Sequence, residues 1–345
     1  MKKLNRALSL STAAALALSL TACSGGTSGT ADTPTANASA STGGSGGTYT
    51  VAVIKQMDHA SLDEIADAIA ARLDEIAAEN GVTIQYEVTS GQGDQTVLRQ
   101  LADQAIADGV DTIIPIATTA AQVAAVSAEE SQTPVVFAAI SYPETANLTG
   151  IDYVTGTSDA LDTDLILDMM LAQNPDLQSV GLLYSLSEPN SEVPIADAKA
   201  YLDEKGIAYT EATANTNDEV IAAASSLIAD GVDAVFTPTD NIIMAAELAI
   251  YEDFINAGIP HYTGADSFVR NGAFATCGVN YTDLGAQTAD LAYQAMTEGM
   301  DSLEDYYQVA GGLITVNSET AEALGIDTSV FESLGEVAAV TTTEE

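Results

Sequence analysis

IADGVDAVFTPTDN, residues 228–241, decides the architecture of this chain. It reads as the end of a helix, a tight turn at Gly231, a buried strand (232–236) and a polar loop (237–241). The next helix, 242–257, follows at once. In an open α/β sheet, loops of this kind at the carboxyl ends of strands are where ligands sit. The stretch recurs as IADGVDTIIPIATT, residues 106–119, with its first six letters unchanged. In that register Thr118 and Thr119 fall where Asp240 and Asn241 fall in the second copy. Two matching α/β halves, each ending this strand in a polar loop, predict two lobes that face one another across a cleft.

Outward from the repeat the same grammar continues. A β-branched run (50–54) is followed by a loop (55–60) and a helix opened by Ser61 with Glu64 three residues on, the pattern of a capping box. Leu62, Ile65, Ala66, Ile69, Leu73, Ile76 and Ala77 recur at helical spacing up to Gly81. Further strands are expected at 83–88, 112–116 and 135–139, with helices between them. In the second half, strands are expected at 179–184, 208–212, 232–236 and 261–264, again alternating with helices. Repeated β-α units demand parallel strands and right-handed crossovers, so each lobe is a small doubly wound, Rossmann-like sheet. The segments 150–158 and 273–281 lie between the lobes. A helix (283–298), a strand (308–316) and a short helix (318–324) complete a chain that crosses between lobes more than once, and residues 331–345 read as a tail.

Composition narrows the function. The chain has 345 residues, enough for two domains of ordinary size. Nine Lys and Arg stand against fifty Asp and Glu, a formal net charge of -41, which repels phosphate backbones and anionic membranes and excludes nucleic acid as a partner. Lys2, Lys3 and Arg6 precede an apolar run (7–20) too short for a comfortable membrane span, and Leu20-Thr21-Ala22-Cys23 follows. This has the form of a bacterial lipobox, predicting a signal peptide (1–22) removed before Cys23 and a lipid on that sulfur. Residues 24–48 are almost all Ser, Thr, Gly, Ala, Pro and Asn, a flexible tether. Cys277 is then the remaining thiol, so no intramolecular disulfide is expected; in the apolar segment 273–279 it reads as a small buried hydrophobe.

Seven stretches, in order, resemble a known family: IKQMDHASLD, GQGDQT, IPIATTAAQVAA, PVVFAAIS, GLLYSLSEPNSE, VFTPTDNIIMAA and GADSFVRNGAFAT. The chain resembles the substrate-binding lipoproteins of ABC importers, and is similar to their tryptophan/tyrosine-type family over residues 49–325. Ala60 after His59, and Thr119, stand where members of that family usually or often carry Pro. The resemblance implies the type I periplasmic-binding-protein fold: two doubly wound lobes joined by a three-stranded hinge. It implies residues 49–155 with 280–305 as the first lobe and 156–279 with 306–330 as the second. It also implies an aromatic amino acid as ligand, an ABC permease and its ATPase as partners, membrane attachment only through Cys23, and a monomeric receptor outside the cytoplasm. No cofactor or metal is called for.

A zwitterion held in a closed cleft needs acceptors for its ammonium and donors for its carboxylate. Arg72 and Arg99 lie well inside helices, so the donors are expected from hydroxyls and helix N-termini: Thr118 and Thr119 in the first lobe, and Ser187, Asn190 and Ser191 in the second. Asp240 and Asp266 end adjacent strands as candidate ammonium acceptors, with Asn241 orienting its neighbour. Gln56, Met57 and His59 lie on the first loop beside Lys55, and Ser141 follows the fourth strand. Tyr142 and Phe268 are candidates for stacking on an aromatic ligand. An enzyme is not expected: there is no P-loop, no GxSxG elbow and no Cys/His metal spacing, and the loop 55–60 lacks the glycines of a dinucleotide site. A sugar or nucleoside binder of the same fold would normally show more ring-stacking aromatics than a Trp-free chain with 6% aromatic residues. A signalling receptor without transport remains the other alternative.

Overall fold

The structure, a computed structural model, describes residues 46–343. The expected signal peptide, Cys23 and most of the linker 23–48 therefore lie outside the described residues. No helix among the described residues is long and apolar enough to cross a membrane.

The first lobe opens with β1 (Thr48–Lys55), α1 (Ala60–Asn80), β2 (Thr83–Ser90), α2 (Gln95–Asp108) and β3 (Thr112–Ile116). It continues with α3 (Thr118–Ser127), β4 (Val135–Phe137) and β5 (Val154–Ser158). The second lobe holds α4 (Thr163–Gln173), β6 (Ser179–Tyr184), α5 (Glu192–Lys205), β7 (Ala208–Thr213), α6 (Asn217–Asp230) and β8 (Ala234–Thr237). Then come α7 (Asn241–Ala257), β9 (His261–Thr263), α8 (Asp266–Arg270) and β10 (Ala275–Gly278). The chain returns to the first lobe for α9 (Tyr281–Glu298) and β11 (Tyr307–Gln308), and ends in the second with β12 (Leu313–Asn317), α10 (Ser318–Leu324) and β13 (Val337–Val340).

One sheet has the order β11-β5-β4-β3-β1-β2, the other β13-β12-β10-β9-β8-β6-β7. All pairings are parallel except β10 with β12. Both sheets thus share a 2-1-3-4-5 core, and the repeated sequence IADGVD has a repeated physical job. Gly109 (φ 73°) and Gly231 (φ 69°) take the left-handed conformation that ends α2 and α6, where a side chain would be strained. The Asp that follows ties the incoming strand to its neighbour. Asp111 Oδ2 accepts from the Thr50 N–H (2.7 Å), and Asp233 Oδ2 accepts from the Gln178 and Ser179 N–H groups (both 2.9 Å).

Three expectations are corrected. Residues 308–316 are not one strand: Tyr307–Gln308 pairs with β5 in the first sheet and Leu313–Asn317 with β10 in the second. The lobe boundary drawn at 305/306 therefore moves beyond Gln308, because Gly311 and Gly312 break the strand at a crossing. Residues 331–345 are not merely a tail, since β13 extends the second sheet and the Thr343 N–H donates to Arg270 O at 2.8 Å. The capping box at Ser61 does not form either. Helix α1 starts at Ala60 with His59 in the capping position, and the Ser61 hydroxyl instead meets the Ser267 hydroxyl of the other lobe.

The chain crosses between the sheets three times, after β5, after β10 and between β11 and β12. Helices α1 and α9 pack closely in the first lobe. A Cβ on Gly285 would lie 2.7 Å from both Ile65 O and Ala68 Cβ, so only glycine allows this approach.

Candidate functional site

In a 2-1-3-4-5 sheet the crossovers leave the first strand in opposite directions, opening a crevice at the carboxyl ends of strands one and three. In the first lobe that crevice is bounded by the loops after β1 (from Gln56) and β3 (Ala117, Thr118); in the second, by those after β6 (Ser185 to Asn190) and β8 (Pro238 to Asp240). The two crevices meet. Between them lies a narrow cavity, lined from both lobes and from the crossings after β5 and β10.

The seam around the cavity is a network of buried polar groups. Gln56 accepts the Thr119 N–H through Oε1 (3.0 Å) and donates across the seam through Nε2 to Glu188 Oε1 (2.8 Å). Asn241 donates to the other oxygen of Glu188, and its Oδ1 lies 3.0 Å from His59 Nε2 in the opposite lobe. With that oxygen accepting, the imidazole proton is on Nε2, and Nδ1 is a buried acceptor without a partner in the protein. Ser141 and Thr239 bring their hydroxyl oxygens to 3.2 Å across the same seam. At the rim Arg270 pairs with Asp266 in its own lobe and with Glu64 of α1 in the other.

Burial sets the protonation of this network. It drives His59 down to about 4, so the imidazole is neutral. It raises both Glu188 and Asp240, and the repulsion between these neighbours raises Glu188 further. Asp240 accepts four hydrogen bonds, from the Ile242 and Ile243 N–H groups (3.0 and 3.1 Å), the Ser185 N–H and the Ser191 hydroxyl (both 2.7 Å). Glu188 accepts two from amides. With four donors against two, the charged form is favoured at Asp240, and Glu188 is the partner pushed further toward the protonated form.

Of the residues singled out from sequence, His59, Thr118, Ser141, Asn190, Asp240, Asn241 and Phe268 line the cavity. Gln56 and Thr119 stand behind it in the seam. Met57 is half-buried against the first-lobe core. Four readings are corrected. Asp240 lines the cavity, but its four bonds are spent on capping α7 and on holding Ser185 and Ser191, so Ser191 is likewise engaged within the protein. Asp266 heads α8 and is taken up by Arg270, outside the lining. Ser187 is exposed, its hydroxyl 2.7 Å from that of Ser185. Tyr142 also lies outside the lining, whereas Phe268 contributes its ring.

Sequence reasoning missed Ser61, Leu62, Ile65, Ala117, Ala139, Asp159, Thr239, Met244, Ala265 and Tyr281 in the lining, and Glu188 in the seam. Glu188 sat between two residues already singled out, and a carboxylate inside that polar loop was a usable signal. The others come from helix faces and crossings that only the meeting of the lobes brings together. Ala117 (φ 77°) and Ala139 (φ 57°) hold left-handed backbone at the cavity wall, a strain that residues with a Cβ accept mainly at functional sites. The described residues contain no group of His, Cys, Asp or Glu arranged to hold a metal ion.

The family model described as ABC transporter substrate binding protein matches residues 50–339. The chain belongs to that family. As an ABC transporter substrate binding protein it is a solute receptor outside the cytoplasm, and the cavity between its lobes is its candidate ligand site. The chain is 27% identical over 251 residues to a tyrosine-binding protein of Clostridioides difficile, covering 71% of this chain and 72% of that protein. Among solved structures it is similar to the ABC domain in complex with L-Trp from Streptococcus pneumonia, with 28% identity, a TM-score of 0.75, and coverage of 84% of this chain and 100% of that one. It is also similar to the ligand-free, open structure of CD0873, a substrate binding protein with adhesive properties from Clostridium difficile. There the identity is 25%, the TM-score 0.64, and the coverage 86% and 100%.

Proposed function

We propose that this receptor binds a free amino acid, with an aromatic side chain favoured, by closing its lobes over it, and that it hands the closed complex to an ABC permease. The observation that carries this reading is the lining of the narrow cavity between the lobes, which mixes polar and apolar side chains from both lobes and contains no Lys or Arg. Helix α3 supports the placement of a carboxylate. Its capping residue, Ala117, offers no side chain to the first-turn N–H groups, of which the Thr119 N–H is taken by Gln56. An uncapped helix N-terminus carries a partial positive charge and free donors, which suit an anion, and the Thr118 hydroxyl adds another donor. Leu62, Ile65, Met244 and Phe268 supply the apolar wall for a ring. The tyrosine-binding relative and the L-Trp complex support the ligand class.

Closure is driven by ligand contacts that exist only when both lobes engage. Delivery from a membrane-attached position follows from the sequence: a signal peptide (1–22), a lipid on Cys23 and a flexible tether, with the receptor acting as a monomer. Thermal unfolding of the purified protein against free amino acids, sugars and nucleosides tests the ligand class, since a ligand of the native state raises the midpoint by mass action. Shifts confined to tyrosine, tryptophan or phenylalanine are expected; a shift with a sugar or nucleoside alone rejects the reading. Retention of a Cys23→Ala variant in the membrane fraction of the producing cells would reject the lipid anchor.

A further inference from the structure

Asp159 stands apart from every other carboxylate of the site. It lies at the crossing that follows β5, is 5% exposed and lines the cavity. Oδ1 accepts from the Ser141 hydroxyl (2.8 Å) and Oδ2 from the Tyr281 hydroxyl (3.1 Å), which belongs to the second crossing. Both donors are neutral. Among the described residues no Lys, Arg or His forms an ion pair with it. Asp240 and Asp266, by contrast, are satisfied by capping bonds and by Arg270. A buried carboxylate is costly unless a positive charge meets it, and two hydroxyls orient Asp159 without neutralising it. Two further acceptors on the same lining, His59 Nδ1 and Asn190 Oδ1, are buried and have no partner within the protein. Burial raises the Asp159 carboxyl, and a cation beside it would reverse that shift, so the cavity presents an excess of acceptors around one carboxyl that lacks a cationic partner. A protonated amine, with three N–H donors and a positive charge, is the small group that complements it.

We propose that Asp159 is the counter-ion of the ligand's protonated amine and sets the receptor's selectivity for amino compounds over isosteric compounds that lack nitrogen. This rests on the amino-acid reading above but is separable from it. Because the carboxylate sits on the hinge rather than on either lobe's loops, the amine is gripped where the chain bends on closure, with Ser141 and Tyr281 aiming the two oxygens.

The test uses the full chain and calorimetric titration with matched probes: L-tyrosine, tyramine and 3-(4-hydroxyphenyl)propionate, together with the corresponding tryptophan series. Wild type is expected to bind the amino acid and to reject the des-amino acid. Asp159→Asn keeps the size of the side chain but removes the charge. It is expected to weaken the amino acid by at least about thirtyfold, the usual scale for losing one partner of a buried charge pair. The des-amino acid should bind it no worse than wild type. A merely structural Asp159 would weaken both probes alike, so an unchanged ratio between them overturns the proposal. So does Asp159→Asn binding the amino acid within threefold of wild type, or a wild type that takes only neutral ligands. Binding of tyramine or a polyamine without any amino acid, lost in Asp159→Asn, would reject the amino-acid reading and uphold the role of Asp159.

Discussion

Gln56→Ala separates closure from folding. In the closed structure Gln56 joins the Thr119 N–H at the head of α3 to Glu188 in the other lobe. Truncation removes both bonds and leaves a buried N–H and a buried carboxyl each short of a partner. Leaving such groups unsatisfied costs about 1–3 kcal/mol each. In the separated lobes water solvates both, so the loss falls on closure alone. A closure penalty of about 2–3 kcal/mol corresponds to roughly 30- to 140-fold weaker ligand binding at 1.4 kcal/mol per decade. The unfolding midpoint of the ligand-free protein is expected to stay within about a degree of wild type, since no core contact is lost. Calorimetric titration with L-tyrosine and L-tryptophan measures the first quantity and a thermal scan without ligand the second. Affinity within threefold of wild type at an unchanged midpoint would refute the argument that this seam stabilises the closed state. A lowered ligand-free midpoint would refute it too, by showing that the bonds serve folding. Gln56→Glu sharpens the test, because it sets a second carboxyl against Glu188 and should weaken binding most at alkaline pH.

Three other expectations follow from the same geometry. Burial first and the Asp240 charge of the same lobe second raise Glu188, and burial lowers His59 from 6.5 to about 4; the burial is the part that closure adds. A raised carboxyl makes closure take up a proton, so its contribution to affinity is full below the ordinary value of 4.5 and declines as pH rises above it. A lowered imidazole makes closure release one, a cost that grows as pH falls from 6.5 toward about 4. The two slopes cancel between 4.5 and 6.5, so ligand affinity should be level there and fall on either side, by up to about tenfold per pH unit. A flat profile from pH 4.5 to 8.5 would contradict the protonation of Glu188. Arg270→Met removes the rim pair with Glu64; the groups are part-exposed, so affinity should fall only about two- to fivefold and lose some of its salt dependence. Gly285→Ala drives a methyl against Ile65 O and Ala68 Cβ, and overpacking of about 1–3 kcal/mol should lower the ligand-free midpoint by several degrees without altering the seam.

Much of the architecture was legible in one dimension because it is local. Helix and strand periods, glycine stops and the IADGVD repeat report backbone conformation over a few residues, and these sufficed to predict two doubly wound lobes. The 2-1-3-4-5 order then determines which loops face the cleft, which is why His59, Thr118, Asn190 and Asn241, singled out from sequence, line the cavity. Asp240 was found for the wrong chemistry: sequence can place a carboxylate at the head of a helix, but not show that four donors already occupy it. Ser61 and Glu64 matched a capping box, yet both serve contacts between lobes, since a hydroxyl and a carboxylate three residues apart look the same in either role.

What only the tertiary structure decided was which polar groups lose water together. Glu188 is raised because segments far apart in the chain bury it beside Asp240, while the hydrogen bonds from Asn241 and Gln56 oppose that shift. Asp159 is left without a cation because two crossings, after β5 and after β10, bring it to Tyr281 and Ser141 and to no Lys or Arg. Desolvation and charge pairing depend on distances in space, whereas residue spacing encodes only the elements that carry them. The chain's own pattern thus determined the lobes and the rim of the cleft, and the meeting of the lobes determined its chemistry.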